Sequence, residues 1–333
     1  MRKLLTLFIV VFVVGSSHAQ QDPMFTKYMF NSLVFNPAYA GSKDHMSIGL
    51  LHRSQWWGID GGPVTQSLTI HSPLKNERVG LGLSLVNDNI GPTNTIGANV
   101  SYAYRIPVGT NGAKLSVGLQ AGVENYRADF TQLDISDVND PAFETNPNEW
   151  LPNFGAGIYY YSKSFYAGFS SPHLVEYDLR GDVGTNGENI WSRRYRHYYF
   201  SVGGAIPLSG DDLIFKPSAL IKNVSLFQGL RKDAEFQNIG SPTEFDVDLS
   251  VLFYQTFWIG ISYRSAFENF DDTSSEDSID IWASYFLKNG FRIGAAYDYT
   301  LTELQTVAGG SFELFLGYEF DYETQKTVTP RYF

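Results

Sequence analysis

The chain has 333 residues, no cysteine and a formal net charge of −11 at pH 7. The lack of cysteine excludes disulfides, thiolate metal sites and cysteine nucleophiles. The acidic balance argues against a nucleic acid partner, because phosphate binding needs clustered Lys and Arg. The 31 glycines, 21 tyrosines and 25 phenylalanines favour β structure.

Residues 1–19 have the composition of a secretory signal peptide. Arg2 and Lys3 precede an apolar run over residues 4–14, and small residues lead to Ala19. The run is shorter than the roughly 20 residues that a spanning helix needs, and no cysteine follows for lipid attachment. We therefore expect cleavage after Ala19 and export of the chain.

An aromatic segment follows over residues 20–44. Asp22 and Pro23 predict a helix start, and apolar residues recur at helical spacing at Met24, Phe25, Tyr28 and Met29. Proline disfavours the helical conformation of the residue before it, so Asn36-Pro37 predicts the end of this helix after one or two turns. The segment is too apolar to extend into water, so we expect it to pack at the periplasmic mouth of the following structure or just inside it.

Alternation with a period of two dominates from residue 45 onward. Val or Leu occupies the odd positions of residues 79–86, with Gly80, Gly82 and Ser84 between them. We count fourteen candidate strands, near residues 45–53, 64–74, 78–88, 95–106, 113–124, 153–161, 164–172, 195–207, 213–222, 245–255, 257–267, 278–288, 290–299 and 311–321. Each has about the length that a tilted strand needs to cross a bilayer. The inner register carries Gly, Ser and charges, namely Arg105, Arg264, Arg292, Glu124, Asp298, Glu313 and Glu319.

Loop lengths distinguish a membrane barrel from a soluble sandwich, whose strands would also alternate. Tight connections at residues 73–77, 107–112, 162–163, 208–212, 255–256 and 288–290 alternate with longer ones at 54–63, 87–94, 125–152, 173–194, 223–244, 268–277 and 301–310. Outer-membrane barrels sort their loops in this way. Aromatic residues on the outward register also suggest interface girdles, for example Tyr102, Tyr198, Phe200, Tyr285 and Tyr299.

The predicted fold is therefore all-β, a transmembrane outer-membrane β-barrel of about 14 antiparallel strands with short periplasmic turns and long extracellular loops. We expect one domain over residues 20–333. It comprises an aromatic N-terminal periplasmic segment (20–44), the barrel (45–321) and a C-terminal tail (322–333).

Catalytic and metal-binding patterns are weak. The chain has no H-E-x-x-H, P-loop or G-x-S-x-G sequence. His52 and His71 could face each other across the first hairpin near serines, as in barrel lipases and proteases, but two polar residues on one hairpin are ordinary. The acidic residues of 125–152 and 268–277 could hold calcium, yet they lack EF-hand spacing and are typical of solvated loops. We predict a protein that is not an enzyme, with no catalytic residue, no cofactor and no metal.

Several motifs resemble one family. They are Asp22-Pro23, Tyr28-Met29-Phe30-Asn31, Asn36-Pro37-Ala38-Tyr39-Ala40-Gly41, Gln55-Trp56-Trp57 with Gly62-Pro63, and Pro330-Arg331-Tyr332-Phe333. These residues resemble the PorP/SprF outer-membrane proteins of the type IX secretion and gliding machinery of Bacteroidetes. The resemblance spans the chain, although its middle is similar in pattern only. It implies a non-enzymatic, surface-exposed barrel that supports secretion and surface attachment of a partner adhesin by binding the adhesin's C-terminal region.

Other partners and functions remain open. The resemblance also allows a barrel that links the motor complex to periplasmic lipoprotein or peptidoglycan-bound partners, and a porin-like channel is the alternative of another class. The basic run over residues 193–196 has two possible partners, nearby acidic residues or lipopolysaccharide phosphate. Candidate partner-binding residues are the N-terminal motif residues and aromatic residues of long loops: Phe25, Tyr28, Phe30, Asn36, Pro37, Tyr39, Trp56, Trp57, Phe143, Trp150, Trp191, Phe227 and Phe236.

Overall fold

Antiparallel strands close into one barrel in the computed structural model. The structure describes residues 25–109, 112–132, 146–178, 193–224, 243–266 and 278–320. The predicted all-β barrel of 14 antiparallel strands is confirmed, with one extra strand segment. Among the described residues, no helix is long and apolar enough to cross a membrane.

The strand bounds lie close to those predicted. In chain order the strands are β1 Ser47–Ser54, β2 Val64–Pro73, β3 Val79–Ile90, β4 Thr93–Val108, β5 Ala113–Ala128, β6 Asn148–Tyr161, β7 Phe165–Ser171, β8 Tyr177–Asp178, β9 Arg193–Arg194, β10 Tyr198–Gly204, β11 Ile206–Ser209, β12 Leu213–Asn223, β13 Glu244–Phe253, β14 Phe257–Ala266, β15 Ser278–Phe286, β16 Phe291–Thr300 and β17 Ser311–Glu319. Pairing of β1 with β17 and of β10 with both β7 and β12 closes the wall. β11 continues β10 after a break at Ala205, and β8 pairs with β9 outside the wall sheet.

The distribution of apolar and polar side chains is the reverse of that in a soluble protein. Outward residues at the middle of the strands are apolar and exposed, with Val100 60%, Leu119 61% and Ile281 60% accessible. Ser101, Ser116 and Asp280, on the opposite register of the same strands, face the lumen and are fully buried. The outer surface is therefore suited to contact with lipid, and the polar groups pair inside the barrel. Of the predicted girdle residues, Tyr198 is buried, because it stacks on Phe169 and its hydroxyl contacts Arg196.

The two ends of the barrel differ in their connections. We call the end that carries the turns β2–β3, β4–β5 and β6–β7 the turn end, and the opposite one the loop end. One predicted long loop, residues 87–94, is wrong: β3 reaches Ile90, β4 begins at Thr93, and a two-residue turn joins them. The polar residues that suggested a loop pair with one another instead, since the Asn94 amide donates to Asn87 at 2.9 Å and to Asn89 at 2.6 Å.

His52 and His71 do not face each other across the first hairpin, in agreement with the ordinary reading of these residues. His52 is exposed on the outward face of β1, whereas His71 is buried on the inward face of β2. The two residues lie in different registers, with His52 opposite Gln66 and His71 opposite Ser47. The two histidines therefore do not form a pair on this hairpin.

Short helices precede β1. They are a 3-10 turn at Tyr28–Phe30, the helix α1 at Ser32–Phe35 and a second 3-10 turn at Pro37–Tyr39. α1 ends before Asn36, which is extended with φ −136°, as the following proline requires. The chain then makes one turn more than predicted, because the Asn36 side chain accepts a hydrogen bond from the Ala38 amide at 2.9 Å. Asp22 and Pro23, the predicted helix start, lie outside the described residues.

Candidate functional site: a plugged lumen and a cavity at the turn end

Residues 25–44 lie inside the wall, and we call them the plug segment. Arg264 of β14, towards the loop end, donates from Nη2 to the Phe25 carbonyl oxygen at 3.0 Å. Near the turn end, the Gly41 amide donates to Nδ1 of His71 at 3.2 Å, and Arg105 donates to the Gly41 carbonyl oxygen. Leu33 and Ala38, between these points, are 1% and 0% exposed. The segment therefore runs through the lumen from its loop half to the turn end.

A buried ion network holds the first residues of the plug segment. Nζ of Lys27 lies 3.3 Å from Oδ2 of Asp280 and 3.8 Å from Oδ2 of Asp248. It also donates to Oγ of Ser262. All of these side chains are buried, so the positive charge of Lys27 compensates carboxylates that water does not solvate.

A second group of charges lies beside the first. Oε2 of Glu313 accepts the Thr26 amide at 2.6 Å, and Oε1 accepts the Lys27 amide at 3.1 Å. Arg53 bridges this carboxylate, at 3.6 Å, and that of Asp298, at 2.7 Å. The predicted inner-face charges are thus in the lumen, and several of them bind the plug segment rather than line open water.

Aromatic packing holds the middle of the plug segment. Phe30 stacks on Phe315 with ring centroids 4.9 Å apart and meets Trp282 and Trp258 edge-on at 5.3 and 5.7 Å. Such pairs stabilise by about 0.5–1.5 kcal/mol each beyond burial. Phe30 is 8% exposed, so this packing anchors the middle of the plug segment.

Glycines on the opposite inner face let the plug segment approach the wall. A Cβ added to Gly118 would overlap the backbone of Ala38, and one added to Gly80 would overlap the carbonyl of Ala40. The small residues of β3 and β5 therefore do more than alternate with apolar ones. They provide the space for the second half of the segment.

A cavity of about 1140 Å³ remains between the plug segment and the wall. Leu74, Lys75, Glu77, Lys163 and Gln255 line it from turn connections, so it opens at the turn end, and we call it the turn-end cavity. Aromatic side chains contribute to its walls: Tyr28, Phe35 and Tyr39 of the plug segment, and Tyr159, Tyr161, Tyr166, Tyr199, Trp258 and Phe286 of the barrel.

Basic side chains outnumber acidic ones at the turn-end cavity. Lys43, Lys75, Lys163, Lys216 and Arg292 line it, together with the carboxylates of Asp44, Glu77 and Glu319. Lys43 pairs with Glu319 at 2.6 Å. Burial disfavours the charged form of Lys43, but the neighbouring Glu319 outweighs burial and raises the pKa of Lys43. Burial also raises the pKa of the Tyr28 phenol, which remains neutral and donates to Ser218 at 2.7 Å.

The structure brings only part of the predicted site together. Phe25, Tyr28, Phe30, Asn36, Pro37 and Tyr39 all belong to the plug segment and contact the wall. Trp56 and Trp57 lie in the loop after β1, and Trp57 is 61% exposed. Trp150, 67% exposed, lies at the loop end of β6. Phe143, Trp191, Phe227 and Phe236 lie outside the described residues, as do most of the acidic residues considered for calcium.

Sequence reasoning missed the residues that anchor the plug segment. Lys27 is the one cation among residues 25–42, a signal that it needed a buried acid. Its partners Asp248 and Asp280 are distant in sequence and show no local pattern. Among the described residues, no group of His, Cys, Asp and Glu is arranged to hold a metal ion.

Several solved structures are similar to this fold. The CymD monoaromatic hydrocarbon channel is 12% identical, with a TM-score of 0.55 over 89% of this chain and 94% of that one. The TodX deltaS2S3 mutant, also a monoaromatic hydrocarbon channel, is 10% identical, with a TM-score of 0.50 over 87% and 94%. Omp33 of Acinetobacter baumannii is 9% identical, with a TM-score of 0.41 over 83% and 99%. At these identities the likeness concerns the fold alone.

Sequence comparison identifies the family. No curated protein sequence matches the chain significantly. The sequence model of the family described as type IX secretion system membrane protein PorP/SprF matches residues 17–318. The predicted resemblance is thereby confirmed, and the match includes the plug segment as well as the wall. This family and the barrels of similar fold are secretion and channel proteins rather than enzymes. The chain belongs to the PorP/SprF family of type IX secretion system membrane proteins.

Proposed function

We propose that this barrel supports secretion and surface attachment of a partner adhesin by binding the adhesin's C-terminal region, and that it does not conduct solutes. The observation that carries the proposal is the occupied lumen. The plug segment is held at its loop half by Lys27 and at the turn end by Arg105 and His71. A barrel closed by its own chain acts through the proteins that bind to it.

The loop end is the proposed adhesin surface. Trp57 and Trp150 are exposed there, and exposed aromatic residues in polar surroundings are typical of protein interfaces. Long outward connections are free to vary without disturbing the wall. Other type IX secretion components are the remaining protein partners of this proposal, and outer-membrane lipid surrounds the wall.

Adhesin retention tests the proposal. Two variants shorten residues 139–145 and 182–189, and a third replaces the exposed turn-end residue Lys75 by Gln as a matched control. Barrel folding is verified by heat-modifiable migration, and adhesin is quantified on cells and in the medium. We expect shedding in at least one loop variant and normal retention in the control. Normal retention in both folded loop variants would refute capture by the loops.

The turn-end cavity favours a second candidate function, a link to periplasmic lipoprotein or peptidoglycan-bound partners. A cavity of about 1140 Å³ that opens among the turns is accessible from that end of the barrel. Proteins that co-purify with the full chain from detergent-solubilised membranes distinguish the two functions. Retention of a large surface protein supports the first function, and retention of periplasmic proteins alone supports the second.

A further inference from the structure

The last strand of the wall ends at the mouth of the turn-end cavity. Glu319, the last residue of β17, lines this cavity, and its carboxylate lies 2.6 Å from Nζ of Lys43 in the plug segment. The Phe320 amide donates to the carbonyl oxygen of Met46, just before β1, at 2.9 Å. Residues 321–333, which we call the tail, lie outside the described residues and follow directly from this point.

The tail is long enough to enter the cavity and cross it. Its 13 residues span at most about 45 Å when extended. The nine residues of β17 rise only about 30 Å from one end of the wall to the other. A segment tethered beside a site by a short connection is present there at an effective concentration in the millimolar range. The tail therefore has an advantage over a free ligand of similar affinity.

The composition of the tail makes exposure to water unfavourable. Apolar and aromatic side chains recur along it, and burial of such surface is the main driving force of association. The tail carries two acidic and two basic residues, so its insertion adds no formal net charge to the cavity. The apolar and aromatic residues are Tyr322, Val328, Pro330, Tyr332 and Phe333.

The lining of the cavity suits a segment of this composition. Met29, Phe35 and Phe286 are half-buried and provide apolar surface. Ser201 and Ser218, also half-buried, add hydroxyl groups that can bond to a peptide backbone. The volume of about 1140 Å³ exceeds the roughly 300–1,000 Å³ that is typical of sites for small ligands. Size and lining together favour a peptide segment as the occupant.

We propose that the tail folds back into the turn-end cavity and packs the rings of Tyr332 and Phe333 against its aromatic side chains. The occupant is then a segment of this chain, and a periplasmic protein that binds in the cavity has to displace it. The inference goes beyond the two proposed functions and rests on neither. Its failure would leave the tests of adhesin retention and periplasmic co-purification unchanged.

Protection of a single thiol tests the inference, because the chain has no cysteine of its own. Ser201→Cys places the thiol on the cavity wall, at a half-buried position. The full-length variant is compared in amphipol with the same variant ending at Phe320, and heat-modifiable migration verifies that each barrel is folded. We expect a maleimide to react at least about tenfold more slowly with the full-length chain, the factor that burial of one Phe side chain provides.

A second variant separates docking from any effect of truncation on folding. Tyr332→Ser combined with Phe333→Ser keeps the length of the chain and should raise the reaction rate at Ser201→Cys towards that of the truncated barrel. This comparison decides the matter if the truncated chain does not fold. Arg78→Cys is the control, because Arg78 is exposed in the β2–β3 turn and does not line the cavity. Its rate should agree within about twofold among the chains.

Synthetic peptides identify the occupant. A peptide of residues 321–333 should protect Ser201→Cys in the truncated barrel, and the same peptide with both serine substitutions should not. Equal rates at Ser201→Cys in the full-length and doubly substituted chains overturn the proposal, whether those rates are fast or slow. Protection of the truncated barrel by laurate but not by the native peptide also overturns it and assigns the cavity to an acyl chain.

Discussion

Replacing Lys27 by Met is expected to loosen the plug segment and open the lumen. The substitution leaves Asp248 and Asp280 without the ammonium that lies 3.8 and 3.3 Å from them. Removing one partner of a buried ion pair typically costs about 3–5 kcal/mol. Since about 1.4 kcal/mol corresponds to a tenfold change, the closed-to-open ratio should fall by roughly a hundredfold to a few thousandfold.

Single-channel recording in planar bilayers measures this change. The unaltered barrel should be nearly silent, and Lys27→Met should show frequent openings. A variant that lacks residues 25–40 provides the reference conductance of an open lumen. Lys114→Met is the matched control, because Lys114 pairs at 3.5 and 3.9 Å with Asp44 and Glu77, which are 38% and 60% exposed. Exposed pairs contribute only about 0–1 kcal/mol, so this variant should remain silent.

Two outcomes would contradict the reasoning. If the deletion gives no conductance, the plug segment does not close the lumen. If the deletion conducts but Lys27→Met is as silent as the control, the buried ion network does not hold the segment. In addition, Asp248→Asn and Asp280→Asn combined with Lys27→Met should restore part of the closure, because they remove the stranded charges.

Three further predictions concern the wall. Gly118→Val should displace the plug segment, because its Cβ would overlap Ala38. The displacement should raise the conductance in planar bilayers. Leu119→Val on the outward face is the control and should leave the conductance unchanged. Leu119 of β5 is 61% exposed, and Leu119→Arg should cost about 2–4 kcal/mol of folding free energy. Val108→Arg, near the strand end, should cost about 0–1 kcal/mol. Equal costs in urea titrations of vesicle-folded protein would contradict the membrane placement. Because the chain lacks cysteine, an impermeant maleimide on intact cells should label Asp60→Cys and Asp137→Cys but not Lys75→Cys or Asn289→Cys; the reverse pattern would invert the topology.

The strands of the wall could be predicted because the sequence patterns that specify them lie within each strand and its adjacent turns. Alternation sorts apolar from small residues within each strand, and turn residues separate one strand from the next. The end of the β3–β4 hairpin is an exception. Asn87, Asn89 and Asn94 have the composition of a loop, but their side chains hydrogen-bond to one another across the paired strands. Polar residues are ordinary in a strand that extends beyond the apolar band, so composition alone misplaced the end of this hairpin.

The lumen could be predicted only in part, because its contacts are distant in sequence. The apolar composition of the aromatic N-terminal segment indicates that it packs against the barrel, and strand alternation places the charged residues of the wall on its inner face. Nothing in either stretch indicates that Lys27 meets Asp248 and Asp280, since closure of the barrel alone brings them together. In the sequence, the glycines of β3 and β5 form one side of an alternation. In the structure, Gly80 and Gly118 also allow the backbone of the plug segment to approach the wall closely.

Asymmetry of the lumen explains why one segment fits it in one orientation. The face formed by β3 and β5 presents Gly80, Gly82 and Gly118, which contact Ala40, Leu33 and the backbone of Ala38. The opposite face presents Trp258, Trp282 and Phe315, which receive Phe30. A chain with small residues on one side and a large ring on the other is complementary to both faces at once, and rotation about its axis would place Phe30 against glycine backbone.

Such complementarity suits a permanent plug better than a pore. A water-filled channel needs polar side chains around its circumference, whereas here the large aromatic residues are concentrated where the segment inserts. Closure by the chain's own residues frees the two ends of the barrel for different partners. Under the proposed functions, the loop end binds an adhesin or the turn end binds periplasmic partners, while the plug segment keeps the lumen closed.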